Sequence, residues 1–292
     1  MTKGDDFAER SIVAVDGTTL AVREVSGEGS LIVGLHGFTG SGEDLLPLLQ
    51  AVRAGRPCIA VDVVGHGASD SPDHLESYSM AAVVDQVLSI VGPRQPSSVH
   101  LVGYSMGGRI ALSMGARAPW YFSSITSLSA TPGVEDPTKR AARHEADLAL
   151  ADHIESVGVD AFIDEWLDKD LFAPYRATLE GEQLQTTIAK RCRSSAAGLA
   201  NSLRGTGTGA MPPVWNSLGS LRSPLLAIAG ALDSTYVSLA ERMAEGAYDG
   251  RAHVIADAGH VVHHEKPDAV ASLLSSFLQS CEPPLQSKGQ PA

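Results

Sequence analysis

A chain of 292 residues, 43% of them hydrophobic, has enough apolar material for a full core, and an α/β fold of this length is commonly one domain with an insertion. Its net charge of −12 argues against nucleic acid, whose binding needs a basic face, and no run of about 18 apolar residues offers a membrane span. Cys58, Cys192 and Cys281 lie too far apart for a disulfide framework or a zinc site, and the acidic start with Asp5, Asp6 and Glu9 lacks the apolar stretch of a secretory signal. A cytoplasmic monomer acting on a small molecule is the expectation.

In chain order, VAVDGTTLAVREV (Val13 to Val25) alternates on both sides of Asp16-Gly17 and predicts an antiparallel hairpin at a sheet edge. LIVGLHG (Leu31 to Gly37), CIAVDVVGHG (Cys58 to Gly67), HLVGYSMGG (His100 to Gly108), SITSLSA (Ser124 to Ala130) and PLLAIAG (Pro224 to Gly230) each begin as a short apolar run. Helical stretches, notably Ser79 to Ile90 and Ser105 to Ala118, lie between them. That alternation predicts a mostly parallel sheet covered on both faces, with functional groups at the C-terminal strand ends. It stops between Pro132 and Leu218, where KRAARHEADLALADHI and VDAFIDEWL carry helical periodicity. Residues 1–131 and 219–281 therefore read as the core and 132–218 as a helical cap. The cap closes on SLRGTGTGAMPPVW (Ser202 to Trp215), read as a shaped loop. Residues 282–292, rich in Pro, Gln, Ser and Gly, read as a disordered tail.

GYSMG (Gly103 to Gly107) fits G-x-S-x-G between a predicted strand and a predicted helix, the sharp turn that raises a serine above an α/β-hydrolase sheet. Ser105 is the candidate nucleophile or base. The N–H groups of Met106, the next residue, and of Phe38, in HGFTG after an earlier strand, are candidates to hold a developing oxyanion. In this fold an acid and then a histidine follow the serine: Asp233 in GALDSTY and His260 in AGHVVHHE fit, with His263, His264 and Asp257 as rivals. Asp233 would set the imidazole tautomer and His260 would take the proton of Ser105.

Arg109, four residues after the serine on the same helix face, would lean back toward the nucleophile, and a neutral ester gains little from such a charge. Arg140, Arg143, Arg191, Arg193 and Arg204 belong to the cap, and several guanidinium groups converging on the pocket would imply a polyanionic substrate. Trp120, Trp166, Phe172 and Trp215 read as either pocket wall or core. His66 reads as a loop-shaping residue. The sequence has no metal-ligand spacing, G-x-G-x-x-G or P-loop, so no cofactor is required.

LHGFTG, GHGASDSP and AGH are signals shared across the fold; GYSMGGR, the cap stretch RHEADLALADHIESVGVDAFIDEWLDKDLF and GLANSLRGTGTGAMPPVW are more discriminating. On these motifs, along nearly its whole length, the chain resembles the 2-succinyl-6-hydroxy-2,4-cyclohexadiene-1-carboxylate (SHCHC) synthases of menaquinone biosynthesis, lyases on an α/β-hydrolase fold. The resemblance implies elimination of pyruvate from 2-succinyl-5-enolpyruvyl-6-hydroxy-3-cyclohexene-1-carboxylate, a tricarboxylate, with the triad serine as base. It also implies that Arg109, Arg143 and Arg193 bind carboxylates and that Tyr104 and Trp166 line the pocket. The chain departs from the pattern at Thr235 and Tyr236, where the family usually has lysine and phenylalanine. It also reads VVHHE where one histidine is usual, and it lacks a tryptophan after GSGEDL. The competing expectations are a carboxylesterase or thioesterase working through an acyl-serine, and a binding module that keeps the triad without turnover.

Overall fold

The computed structural model describes residues 7–94, 96 and 98–282. Eight strands form one sheet in the order β1-β2-β4-β3-β5-β6-β7-β8, with β1 Ala8–Val13, β2 Thr19–Val25, β3 Leu31–Leu35, β4 Cys58–Val61, β5 Val99–Tyr104, β6 Ser124–Leu128, β7 Leu225–Gly230 and β8 Gly250–Ile255. The first two strands are the hairpin expected around Asp16-Gly17, with Val13 opposite Thr19 and Gly17 at φ +86°. β2 runs antiparallel to β4, and every later pairing is parallel. Strands β3 to β7 are buried at every position, which is why they read as unbroken apolar runs rather than as alternation.

Helices cover both faces. On one side lie α2 Met80–Val91, α3 Met106–Arg117 and α9 Ser234–Gly246, whose Val83, Ile110 and Ala240 join the cluster around Val33 and Leu101. On the other lie α1 Leu46–Val52 and α11 Pro267–Ser280, packing Leu49 and Leu274 against Ile32 and Val102. Between β6 and β7 the chain leaves the sheet as α4 Pro137–Val157, α5 Val159–Leu167, α6 Ala173–Arg176, α7 Gly181–Arg191 and α8 Ala196–Thr206. These helices have a smaller core of their own, including Ile154, Phe162 and Leu203. Caps define where they start: Asp136 accepts from the Thr138 and Lys139 N–H groups before α4, and Ser195 from the Gly198 N–H before α8. A four-residue α10, Val262–Glu265, precedes α11.

Three details differ from the sequence reading. β8, GRAHVI, is an exposed edge strand whose mixed residues carry no apolar run. The stretch from Ser202 to Trp215 is still helix as far as Thr206, because Ser202 and Thr206 lie on the buried face of α8 and hydrogen-bond to each other. Glu282, counted with the tail, is instead tied to the core, its carboxylate accepting from Arg56 Nε at 2.6 Å; residues 283–292 lie outside the described residues. Among the described residues no helix is long and apolar enough to cross a membrane.

Among the described glycines, the closest backbone approach lies where α3 meets the ends of β3 and β5. A Cβ on Gly107 would stand 2.0 Å from the Leu35 carbonyl oxygen, and one on Gly103 would stand 2.2 Å from the Gly107 oxygen. The nearest atoms at both points are backbone, which cannot swing aside as the end of a side chain can. We predict that Gly107→Ala costs about 3 kcal/mol, the upper part of the overpacking range. At about 2–4 °C per kcal/mol in a chain of this size, the melting midpoint should fall by roughly 10 °C. Gly219→Ala, whose φ lies outside the left-handed region and whose new Cβ would come no closer than 3.6 Å to the Gly246 carbonyl oxygen, should leave the midpoint unchanged or raise it. Equal midpoints for the two variants in a melting experiment would contradict this packing account.

Candidate active site

Ser105 sits between β5 and α3 at φ +49° and ψ −106°, a backbone conformation costly for a residue with a side chain. Its N–H donates to the Leu128 carbonyl at 2.8 Å. Ser105 Oγ is 3.1 Å from His260 Nε2, and His260 Nδ1 is 2.8 Å from Asp233 Oδ2. Asp233 follows β7 and caps α9, while His260 follows β8, so three strand ends deliver the three groups. With Nδ1–H held by Asp233, Nε2 is the basic nitrogen that faces the hydroxyl. Met106 is the first residue of α3, where amides have no intrahelical acceptor, and Phe38 lines the same pocket as Ser105.

The loop bearing His260 is fastened by Glu265, a group the sequence reading did not single out. Its buried carboxylate accepts from the Gly259 N–H at 2.5 Å and the Val261 N–H at 2.9 Å, gripping the backbone on both sides of the histidine. His263, one of the rivals for the histidine role, is buried with neither ring nitrogen partnered among the described residues and packs 4.6 Å from the Tyr104 ring. Burial holds its pKa well below the usual value, and burial likewise depresses that of His264. His66 packs 5.1 Å from the His36 ring and 5.7 Å from Phe38, as a loop-shaping residue would; burial drives its pKa down to about 3 and lowers that of His36 too.

These buried histidines should make the fold acid-sensitive. A histidine whose folded pKa lies below the unfolded one contributes fully above the unfolded value, near 6.5, and less as pH falls toward the folded value, because the unfolded chain takes up the protons. We predict a lower urea midpoint at pH 5 than at pH 7.5. A midpoint that does not move would mean that these rings accept protons without unfolding.

A cavity of about 160 Å³ opens above the triad, between the core and the cap. Arg109, Arg143 and Arg191 all line it, as do Tyr104, Trp166, Phe172 and Tyr236. Arg109 is 8% exposed, donates from Nη1 to the Thr206 carbonyl at 2.6 Å, and among the described residues has no carboxylate within 4 Å. Burial lowers its pKa to about 10, which still leaves it charged at neutral pH. Arg191, also 8% exposed, donates from Nη1 to Thr39 Oγ1 at 2.8 Å, while its Nε has no partner among the described residues. Arg143 is held by Asp147, Nε to Oδ1 at 2.7 Å.

Arg193 is elsewhere: its side chain is 59% exposed and pairs with Glu43 at 2.9 Å, outside the pocket wall. AKRCR offers two arginines two positions apart, and such residues do not share a helix face. Here α7 ends at Arg191, so the helix carries that side chain inward and the following turn carries Arg193 out. Arg140 turns back to the carbonyls of Val134 and Glu135, and Arg204 pairs with Asp152 and Glu155 on the outside of the cap. Trp166 packs 5.4 Å from Phe38 with its indole Nε1 unpartnered among the described residues, and Tyr236 lies 4.6 Å from the His260 ring, in the place where phenylalanine was the expected residue. Trp120 is 77% exposed, and Trp215, its Nε1 donating to the Gly133 carbonyl, packs on the core; neither lines the pocket.

A hydroxyl, an imidazole and a carboxylate in hydrogen-bonded series, beneath a wall holding three guanidinium groups, can move a proton to or from a bound polyanion. The chain belongs to the alpha/beta hydrolase family, whose pattern matches residues 32–273. Its relatives narrow this to the SHCHC synthases. It is 33% identical over 271 residues, 92% of this chain and 98% of the other, to a Bacillus subtilis (strain 168) protein provisionally named as 2-succinyl-6-hydroxy-2,4-cyclohexadiene-1-carboxylate synthase. It is 28% identical over 279 residues, 91% of this chain and 98% of the other, to the synthase of that name from Yersinia pestis (strain Pestoides F). Among solved structures it superposes on MenH from S. aureus with a TM-score of 0.83 at 26% identity, covering 89% of this chain and 98% of that one.

Proposed function

We propose that this protein is a lyase that eliminates pyruvate from 2-succinyl-5-enolpyruvyl-6-hydroxy-3-cyclohexene-1-carboxylate to give 2-succinyl-6-hydroxy-2,4-cyclohexadiene-1-carboxylate. The observation that carries this reading is the set of three arginines, Arg109, Arg143 and Arg191, in the wall of the pocket that holds Ser105. An acyl pocket for a neutral ester has no use for them, whereas a tricarboxylate supplies a partner for each. The names of the relatives support the same reaction.

In this mechanism His260 takes the proton of Ser105, and Asp233 stabilises the resulting imidazolium. The serine oxygen then removes a ring proton from the substrate. The electron pair left at C2 forms the C2=C3 double bond, the former C3=C4 pair shifts to C4=C5, and the carbon–oxygen bond at C5 breaks; His260 returns its proton to the departing enolate, which becomes pyruvate. Serine is a weak base in water, so the site must stabilise the anion that forms. In this reading the Phe38 and Met106 amides and the buried charge of Arg109 do so.

The test is pyruvate release from freshly prepared substrate, run beside an enzyme-free blank and hydrolysis of a simple aryl ester. The reading expects release well above the blank with little ester cleavage. Release at the blank rate with brisk ester cleavage would instead make this an esterase or thioesterase. Ser105→Ala should lose nearly all pyruvate release. Arg109→Ala should lose about 10²–10³ in kcat, the loss found on removing one anion-stabilising donor, and a near-normal rate would refute its role. Arg191→Ala should raise KM by about tenfold, as loss of a charge-assisted hydrogen bond does, while Arg193→Ala should change it less than about twofold. The reverse order would mean that the cap closes differently over substrate.

A further inference from the structure

Asp147 is a carboxylate in the wall of a pocket otherwise built for anions, and it is only 2% exposed. Left to itself it would repel the ligand and carry a large desolvation cost. Both of its oxygens are engaged. Oδ1 accepts from Arg143 Nε at 2.7 Å, and Oδ2 accepts from the Gly209 N–H at 2.9 Å. The second bond comes from the glycine-rich exit of the cap, GTGTG, and it needs a close approach of chain to chain. A Cβ on Gly209 would stand 2.2 Å from the His144 nitrogen, and one on Gly207 would stand 2.8 Å from Asp147 Oδ2. The glycines that mark this stretch thus let the exit turn lie against α4 and hold the carboxylate from behind.

Arg143 is a surface-reaching side chain, 49% exposed, with several rotatable bonds. A guanidinium group can offer a carboxylate either its Nε edge or its Nη1–Nη2 end. With Nε turned to Asp147, the Nη1–Nη2 end of this pocket-lining residue makes no hydrogen bond among the described residues. We propose that Asp147 is a positioning residue that fixes Arg143 end-on toward the ligand, anchored for that purpose by the Gly209 amide. The inference rests on the proposed reading for the ligand's chemistry, but not on the elimination step itself.

The measurement is calorimetric titration with citrate, a tricarboxylate that offers no pyruvate to eliminate, so positioning and reaction can fail separately. In Asp147→Asn the amide nitrogen can only donate, so either the Gly209 N–H or Arg143 Nε–H loses its acceptor. Citrate affinity should fall about tenfold, as loss of a charge-assisted contact does. In an Arg143→Ala background the same substitution should change affinity by less than about twofold, because its effect runs through the arginine. Arg143→Lys, at an exposed site that tolerates change, keeps the charge but has no Nε hook and should also lose about tenfold. Equal losses for Asp147→Asn in the two backgrounds, tighter citrate binding in Asp147→Asn, or parental affinity in Arg143→Lys would each overturn the proposal.

Discussion

Everything in this molecule is arranged around one close approach of backbone to backbone. Ser105 can stand above the sheet only because the chain turns through φ +49° and at once begins α3, bringing Gly107 against the Leu35 and His36 carbonyls with no room for a side chain. That contact fixes α3 relative to β3 and β5, and with it three things at once. The hydroxyl is lifted out of the sheet, α3 begins directly after it, and Arg109, one turn along, is carried under the cap. The strain at the serine is balanced by burial on both faces of the sheet, where β3 to β7 expose almost nothing.

The second constraint is electrostatic. A chain with net charge −12 repels anions at long range, but with a Debye length of about 8 Å in cellular salt the pocket answers mainly to its own walls. Arg109 and Arg191 are both nearly buried. Arg109 is satisfied by a carbonyl oxygen, and Arg191 by a hydroxyl with the Asp44 carboxylate at a looser 3.7 Å. Buried guanidinium groups without tight carboxylate partners are costly to the fold, and that cost is offset when a ligand brings the missing charge. The Glu265 clamp and the neutral histidines behind it supply the opposite quality, a rigid shell that keeps His260 in line with Ser105 and Asp233.

Most of the sheet was legible in the sequence because parallel strands buried on both faces leave continuous apolar runs, and the serine, acid and histidine stood at the ends of such runs. What escaped did so for physical reasons. β8 lies at the sheet edge, where GRAHVI needs no apolar face. Arg191 and Arg193 are distinguished only by where α7 stops, and a helix end is set by packing as much as by local preference. Asp147 and Glu265 act through backbone amides brought close by the folded chain, and nothing in their own sequence neighbourhood announces those partners. Tyr236 was visible as a departure from a familiar pattern, but its place beside His260 comes from the path of α9.

The central claim is that Ser105 moves a proton and never becomes acylated. Intact-mass spectrometry of the enzyme, acid-quenched during turnover of 2-succinyl-5-enolpyruvyl-6-hydroxy-3-cyclohexene-1-carboxylate, tests it most directly. The account predicts an unmodified chain at every time point while pyruvate accumulates. A transient mass increase that maps to Ser105 and decays with product formation would contradict it and make the serine a nucleophile.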